Sequence, residues 1–260
     1  MFYFETKQFM KSDIFDNSIL SHVFTTRKDN KNPYGFSMSS KDFGNTDTKF
    51  ILQNRKAACD YLQVDFDKLL IPEQKHTANI AVIAQDTQQP YDLSDTDGVI
   101  TNITGLPVML LFADCIGLIL FDPVKNVMGI IHAGWRGSAE RIAQKAGLIF
   151  VEQFNSNPAD IKVAIGAGIS QSCFEVSEDI ARQLNMTIEG DYANIFSRTA
   201  DGIKVDLKMI NAIQLNKIGI KNIDICNFCT SCGVNTFYSY RKENGKTGRH
   251  AILGCLKEKN

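Results

Sequence analysis

Apolar and polar positions divide the chain into short β-like runs set between amphipathic segments. The longest apolar stretch, "LPVMLLFADCIGLILFD", spans 106–122 and is followed after "PVKN" by "VMGIIHAGW". Pro123 sits where tight turns favour proline, so the two runs are predicted to pair as an antiparallel hairpin. A turn centred between Pro123 and Val124 sets Cys115 opposite His132, and opposite residues have Cβ atoms about 4.5–5.5 Å apart. Further strand-like runs are "KLLIPEQKHTANIAVI" (two strands with a break), "TDGVITN", "IKVAIGAGI" and "NIDIC". "FYSYRKENGKTGRHAILGCL" reads as strand, turn at Asn244-Gly245, and strand.

Helical spacing is seen at Phe50, Ile51, Ala57, Ala58 and Leu62, predicting a helix over about 48–62. Ser138 is placed as the N-cap of a helix running through "AERIAQKAGLIFVEQF". "SEDIARQL" reads as a short capped helix, and "DLKMINAIQLNKIG" as an amphipathic helix ended by Gly219. Strands mix irregularly with helices, which predicts an α+β (mixed α/β) fold with no regular βαβ series. No repeat, low-complexity tract or linker interrupts the sequence, so residues 1–260 are expected to form a single compact domain.

Composition adds exclusions. The 260 residues are 44% hydrophobic and 22% charged, with a net charge of −1. That balance supports a normal core and offers no basic face for nucleic acid or anionic lipid. The N-terminal "MFYFETKQFMKSDIFDN" lacks the long apolar core of a signal peptide. The longest apolar run is broken by Asp114 and falls short of the roughly 20 residues that span a bilayer. A soluble, cytoplasmic protein without membrane or nucleic-acid partners is expected. Seven cysteines, an odd number widely scattered, argue for reduced thiols and some metal ligands instead of a disulfide framework.

Three groups could carry chemistry. His132 lies at a strand end before "GWRGS"; it is either a packed core histidine or a ligand. With Cys115 across the hairpin and His76 between two strand-like runs, a Cys/His/His set would match zinc with one position left open. "CNFCTSC" places Cys226, Cys229 and Cys232 at metal-motif spacing, but it has no fourth ligand nearby and reads as small, partly buried thiols. "SYRKENGKTGR" sets Arg241, Lys242, Lys246 and Arg249 around a turn, either a solvated hairpin or an anion clamp. Arg136 adds a cation just before a helix N-terminus, where anions are favoured.

Together these landmarks resemble the bacterial YfiH/YlmD-type laccase-domain family, labelled "polyphenol oxidase" and linked to purine nucleoside phosphorylase activity. The matching pieces are Gly44-Asn45 with "QNR" at 53–55, "QKH" ending at His76, "TDGVIT" at 96–101 and "ADC" ending at Cys115. "IHAGWRG" at 131–137, "CFEV" at 173–176, "CT" at 229–230 and "SYRKENGKTGR" at 239–249 complete them, in family order. Ala167 departs from the pattern, which usually has proline there, and Cys226 and Cys232 lie outside it.

The resemblance implies two packed mixed β-sheets flanked by helices. It implies Zn²⁺ (with Cu²⁺ as the alternative ion) on His76, Cys115 and His132, and a pocket for a small nucleoside and phosphate. The implied reaction is phosphorolysis of adenosine, inosine or S-methyl-5′-thioadenosine to base and pentose 1-phosphate, with adenosine deamination as a further activity. The trio and Asp114 are the expected catalytic residues, Asp114 by orienting a ligand or substrate. Asn45, Arg55, Arg136 and Arg241 are the expected substrate-binding residues. A copper-dependent polyphenol oxidase and a peptidoglycan-precursor editing factor are the alternatives. A multicopper centre needs many histidines, and the chain has four. A monomer or small homo-oligomer is expected.

Overall fold

Continuous apolar runs demand burial on both faces, and the two richest runs lie at the centre of the molecule. The computed structural model describes residues 1–29, 34–39, 48–189, 194–200 and 202–258. The strands are β1 (Phe2–Phe4), β2 (Phe9–Ser12), β3 (Leu20–Thr25), β4 (Ile80–Ile83), β5 (Gly98–Thr101), β6 (Val108–Phe112) and β7 (Ile116–Asp122). They continue with β8 (Val127–Ala133), β9 (Lys162–Ile165), β10 (Glu175–Val176), β11 (Phe196–Arg198), β12 (Ile203–Val205), β13 (Asn222–Ile225) and β14 (His250–Leu256). The helices are α1 (Thr48–Leu62), α2 (Trp135–Ala139), α3 (Ile142–Phe154), α4 (Glu178–Asn185) and α5 (Leu207–Lys217).

A mixed six-stranded sheet runs β13-β9-β7-β8-β5-β4, and a five-stranded sheet runs β1-β2-β3-β14-β6. All pairings in the five-stranded sheet are antiparallel, so only the larger sheet is mixed. A third small sheet, β10-β12-β11, packs Val176, Ile203 and Val205 into the core shared with the six-stranded sheet. Side chains alternate across β7 and β8, as the period of two requires. Ile119, Phe121, Met128 and Ile130 join Phe24, Leu110, Phe112 and Ile252 in the layer between the two large sheets. Leu118, Leu120 and Ile131 point the other way, onto Ile142, Ala146, Phe150, Ile210 and Leu215 of α3 and α5. The outer face of the five-stranded sheet packs Val23, Met109 and Leu253 beneath Ala58, Cys59 and Leu62 of α1. The order helix, sheet, sheet, helix is the α+β arrangement expected. Each fully buried Ile, Leu or Phe contributes about 1.5–3 kcal/mol. No helix among the described residues is long and apolar enough to cross a membrane.

The structure departs from the sequence expectations at five places. The long apolar run is two strands in different sheets, β6 and β7, broken at Ala113–Cys115 where Asp114 takes a φ of 85°. The hairpin register is two residues longer than expected, since Asp122 pairs with Val127 and Gly117, not Cys115, faces His132. Its cause is a four-residue loop: the Asp122 carboxylate accepts the backbone N–H groups of Val124 and Lys125, and Asn126 turns the chain at a φ of 54°. Ser138 is not an N-cap. It lies inside α2, its hydroxyl accepting from the buried Asn211 amide, and Arg141 at a φ of 61° separates α2 from α3. The first strand expected in 68–83 and the one expected before the Asn244-Gly245 turn do not form. Side chains take over the pairing there: Gln74 exchanges two hydrogen bonds with the Leu111 backbone, and Glu243 holds Ser239 N–H and the Thr247 hydroxyl.

Candidate metal centre

Breaking the apolar run at Asp114 brings β7 in at the edge of the inter-sheet layer with Cys115 just before its first residue. Cys115 and His132 fall on the same face of the hairpin, because a two-residue register shift preserves side-chain direction. Gly117, directly opposite His132, makes room for Phe112. A Cβ there would lie 2.8 Å from the Phe112 ring, whose centroid stands 5.3 Å from that of His132. His76 arrives from the loop before β4 at a φ of 62°, its ring 4.9 Å from His132 and nearly perpendicular to it. The ligand atoms of His76, Cys115 and His132 all lie within 4.8 Å of one another. His132 is buried, Cys115 half-buried and His76 exposed, so the group opens to solvent on one side. Gly134 borders it: an added Cβ would come 3.2 Å from both Cys115 Sγ and His76 Cδ2.

A residue without an assigned role in the sequence organises this group. Asp97, in "TDGVIT", is fully buried. Its Oδ1 accepts from His132 Nδ1 at 2.7 Å and from the His76 N–H at 3.1 Å. Its Oδ2 accepts the N–H groups of Lys75 and Thr77 and the Thr77 hydroxyl. One carboxylate therefore fixes the loop carrying His76 and the tautomer of His132, leaving Nε2 as the ligand atom. Burial pushes Asp97 up, but the bonds from His132 and Thr77 outweigh it and hold the carboxyl at about 2. Burial likewise pushes Cys115 up, while the positive charge of His132 and bonds from both imidazoles bring it down to about 6. His132 is pushed down by burial and raised to about 9 by the Cys115 thiolate and Asp97. Thiolate is the form that binds metal. Two imidazoles, one thiolate, a carboxylate behind one imidazole and an open side fit a zinc-type centre.

Asp114 belongs to the scaffold beside this group, not to its ligand shell. Its Oδ1 accepts from the Thr230 hydroxyl at 2.6 Å, and its Oδ2 from the Ser239 hydroxyl and the Arg241 N–H. It thereby ties two chain segments, at 230 and at 239–241, to the turn that aims Cys115. Arg136 is exposed, stacked over the Trp135 ring at 4.4 Å, and its guanidinium makes no hydrogen bond to protein among the described residues. Both line a cavity of about 490 Å³ with Arg141, Gln183 and Met186. Arg55 spends Nε and Nη2 on the Met38 carbonyl, and Arg241 donates through Nη1 to the Glu175 carbonyl over the Phe174 ring. Each guanidinium has five N–H donors, so both retain capacity for an anion. Asn45 lies outside the described residues.

The two remaining histidines are core residues. His22 and His250 are buried, and burial pushes them down to about 4 and about 3. His22 accepts the Ser12 N–H, and His250 packs near the rings of Phe112, Phe237 and Tyr238. Only two imidazoles therefore serve the centre.

Residues 21–257 match the family described as multi-copper polyphenol oxidoreductase laccase. The purine nucleoside phosphorylase YlmD of Bacillus subtilis is 31% identical over 217 residues, covering 80% of this chain and 78% of that one. The adenosine deaminase RL5 of an unknown prokaryotic organism is 28% identical over 85% of this chain and 87% of its own. Among solved structures, the hypothetical protein YfiH of Bacillus licheniformis superposes with a TM-score of 0.90 at 27% identity, covering 98% of this chain and 99% of that chain.

Proposed function

The chain belongs to the multi-copper polyphenol oxidoreductase laccase family, and on that premise we propose that it is a zinc-dependent purine nucleoside phosphorylase. Its substrates are adenosine, inosine and S-methyl-5′-thioadenosine, cleaved with phosphate to free base and pentose 1-phosphate, with adenosine deamination as a second activity. Relatives named purine nucleoside phosphorylase and adenosine deaminase support an enzyme of purine metabolism. The observation that carries the reading is the three-ligand group with one open side, backed by a buried carboxylate.

His76 Nε2 or Nδ1, Cys115 Sγ and His132 Nε2 would hold the ion. An ion held there would supply Lewis-acid chemistry on the exposed side of the group. The protein's own groups do the rest. Asp97 keeps the proton on His132 Nδ1 and prevents the ring from turning. Asp114 fixes the backbone on which Cys115 sits. Arg136, with donors uncommitted to protein, neutralises phosphate charge, and the Arg55 and Arg241 guanidinium groups contribute their remaining donors. Trp135 offers an aromatic face beside them for a purine. A multicopper oxidase is disfavoured by the donor set, because His22 and His250 are sequestered in the core.

The test is an assay of purified protein on the three nucleosides, with and without phosphate, with products identified and metal content measured on the same sample. Phosphate-dependent release of base and pentose 1-phosphate is expected, and it is lost in Cys115→Ala. A Cys115→Ala protein that binds stoichiometric zinc and cleaves adenosine at the normal rate overturns the reading.

A further inference from the structure

The motif "CNFCTSC" does not act as one unit. Cys226 is buried in the layer between the large sheets, its N–H bonded to the Ile165 carbonyl. Cys229 and Cys232 turn the other way and meet Cys173, which sits 56 residues before Cys229 in the chain. The three sulfur atoms lie within 4.8 Å of one another, with Cys173 Sγ and Cys232 Sγ 3.2 Å apart. We propose that Cys173, Cys229 and Cys232 form a second metal site, a three-thiolate centre for a thiophilic ion of the Zn²⁺ or Cu⁺ class. It is separate from the His76–Cys115–His132 group.

Four observations carry this. Zinc–sulfur bonds of about 2.3 Å in a tetrahedral shell put sulfurs roughly 3.8 Å apart, within the range the three atoms already span. Cys229-x-x-Cys232 has the spacing of a zinc knuckle, and the third ligand arrives from another segment, as in closed structural sites. Cys229 Sγ accepts two backbone N–H groups, from Ser170 at 3.3 Å and Cys232 at 3.4 Å. Such bonds stabilise thiolate. Finally, the buried Lys208 ammonium donates to the carbonyls of Cys226 and Phe228, placing a positive charge under the loop next to Cys229. Three thiolates and a divalent ion carry a net negative charge, which this lysine offsets.

The location gives the site a purpose. Gly168 pairs with Cys229, Ile169 N–H bonds to the Asp114 carbonyl, and Thr230 holds the Asp114 carboxylate. An ion on the three cysteines would clamp the 168–173 and 229–232 loops together, and these loops grip Asp114, the residue before Cys115. The half-buried Cys173 and Cys229 and the exposed Cys232 leave an entry path.

The experiment is a Co²⁺ titration of metal-free, reduced, full-length protein, following thiolate-to-cobalt charge-transfer absorbance, with Zn²⁺ stoichiometry measured in parallel. Wild type is expected to bind two equivalents. Cys232→Ser is expected to bind one, with the charge-transfer absorbance falling to about a quarter, since one thiolate of four still ligates. Cys115→Ser is expected to keep the three-thiolate spectrum with one equivalent, which separates this site from the other whatever the fate of the proposed activity. Cys173→Ser repeats the Cys232→Ser result from the opposite loop. A single equivalent in wild type, or an unchanged spectrum in Cys232→Ser, overturns the proposal. So does mass-spectrometric detection of a Cys173–Cys232 disulfide in reduced, anaerobically purified protein.

Discussion

Two thiol-bearing clusters share Asp114 as a neighbour and are built in opposite ways. Around Cys115 the ligands stand at the edge of two packed sheets, and a buried carboxylate fixes the imidazole behind them. Around Cys229 the ligands stand on loops, and only backbone N–H groups and a buried lysine prepare the thiolate. The first arrangement combines an imidazole of defined tautomer with an open side, which suits chemistry. The second gathers soft sulfur from two loops, which suits fastening.

Mutation can break this contrast. The largest effect is expected for Cys115→Ala against Cys232→Ser. Loss of a centre that contributes several kcal/mol to the transition state lowers nucleoside cleavage by at least about 10²-fold. The exposed Cys232→Ser leaves the rate within about twofold. Equal losses in steady-state assays would show that the clusters are not functionally distinct.

Asp97→Asn sharpens the same contrast. Removing a carboxylate behind a ligand imidazole costs about 10–100-fold in metal affinity or activity. Competition against a chelating dye should show that loss at one equivalent of zinc and leave the other equivalent untouched.

The core histidines test whether only two of the four are ligands. His22 and His250 have folded-state values of about 4 and about 3 against an ordinary 6.5. Both values are depressed, so the stability they confer is complete above pH 6.5 and drains away as pH falls through the window from 6.5 toward 4. Between pH 7.5 and 5.5 each is expected to cost about 1.4 kcal/mol. Urea denaturation should show His250→Phe declining by about 1.4 kcal/mol less than wild type over that interval; an unchanged decline would mean that His250 is not buried and neutral.

The smallest effect is expected at Gly134→Ala. The added methyl presses on Cys115 Sγ and His76 Cδ2, each 3.2 Å away. Overpacking of about 1 kcal/mol lowers zinc affinity roughly fivefold without unfolding the chain. Zinc competition and a thermal melt on the same sample check both halves of that statement.

The helices at 48–62, 178–185 and 207–217 were legible because each carries its own signal: apolar spacing in the first, side-chain caps at Ser177 and Asp206 in the others. The β7–β8 hairpin was legible as a hairpin, since two apolar runs flank a proline turn. Its register was not, because Asp122 and Asn126 lengthened the loop by side-chain and backbone bonds that periodicity does not report. The division of "VMLLFADCIGLILFD" between two sheets was equally hidden. Both halves are apolar, and only the packing of β6 on β14 and of β7 on β8 assigns them to different layers.

The candidate residues follow the same rule. The amino-acid sequence by itself determined the donor types, the strand that carries His132 and the family to which "ADC" and "HAGWRG" belong. Only the tertiary structure decided which donors meet. Cys229 and Cys232 are neighbours by spacing, but their third partner, Cys173, comes from a distant loop, and Cys226 is drawn into the core by its own burial. Asp97 was hidden for the same reason, since a carboxylate 35 residues from His132 becomes its partner only when β5 pairs with β8. Local sequence fixes which groups a segment can offer; long-range strand pairing and burial select which of them share a few ångströms.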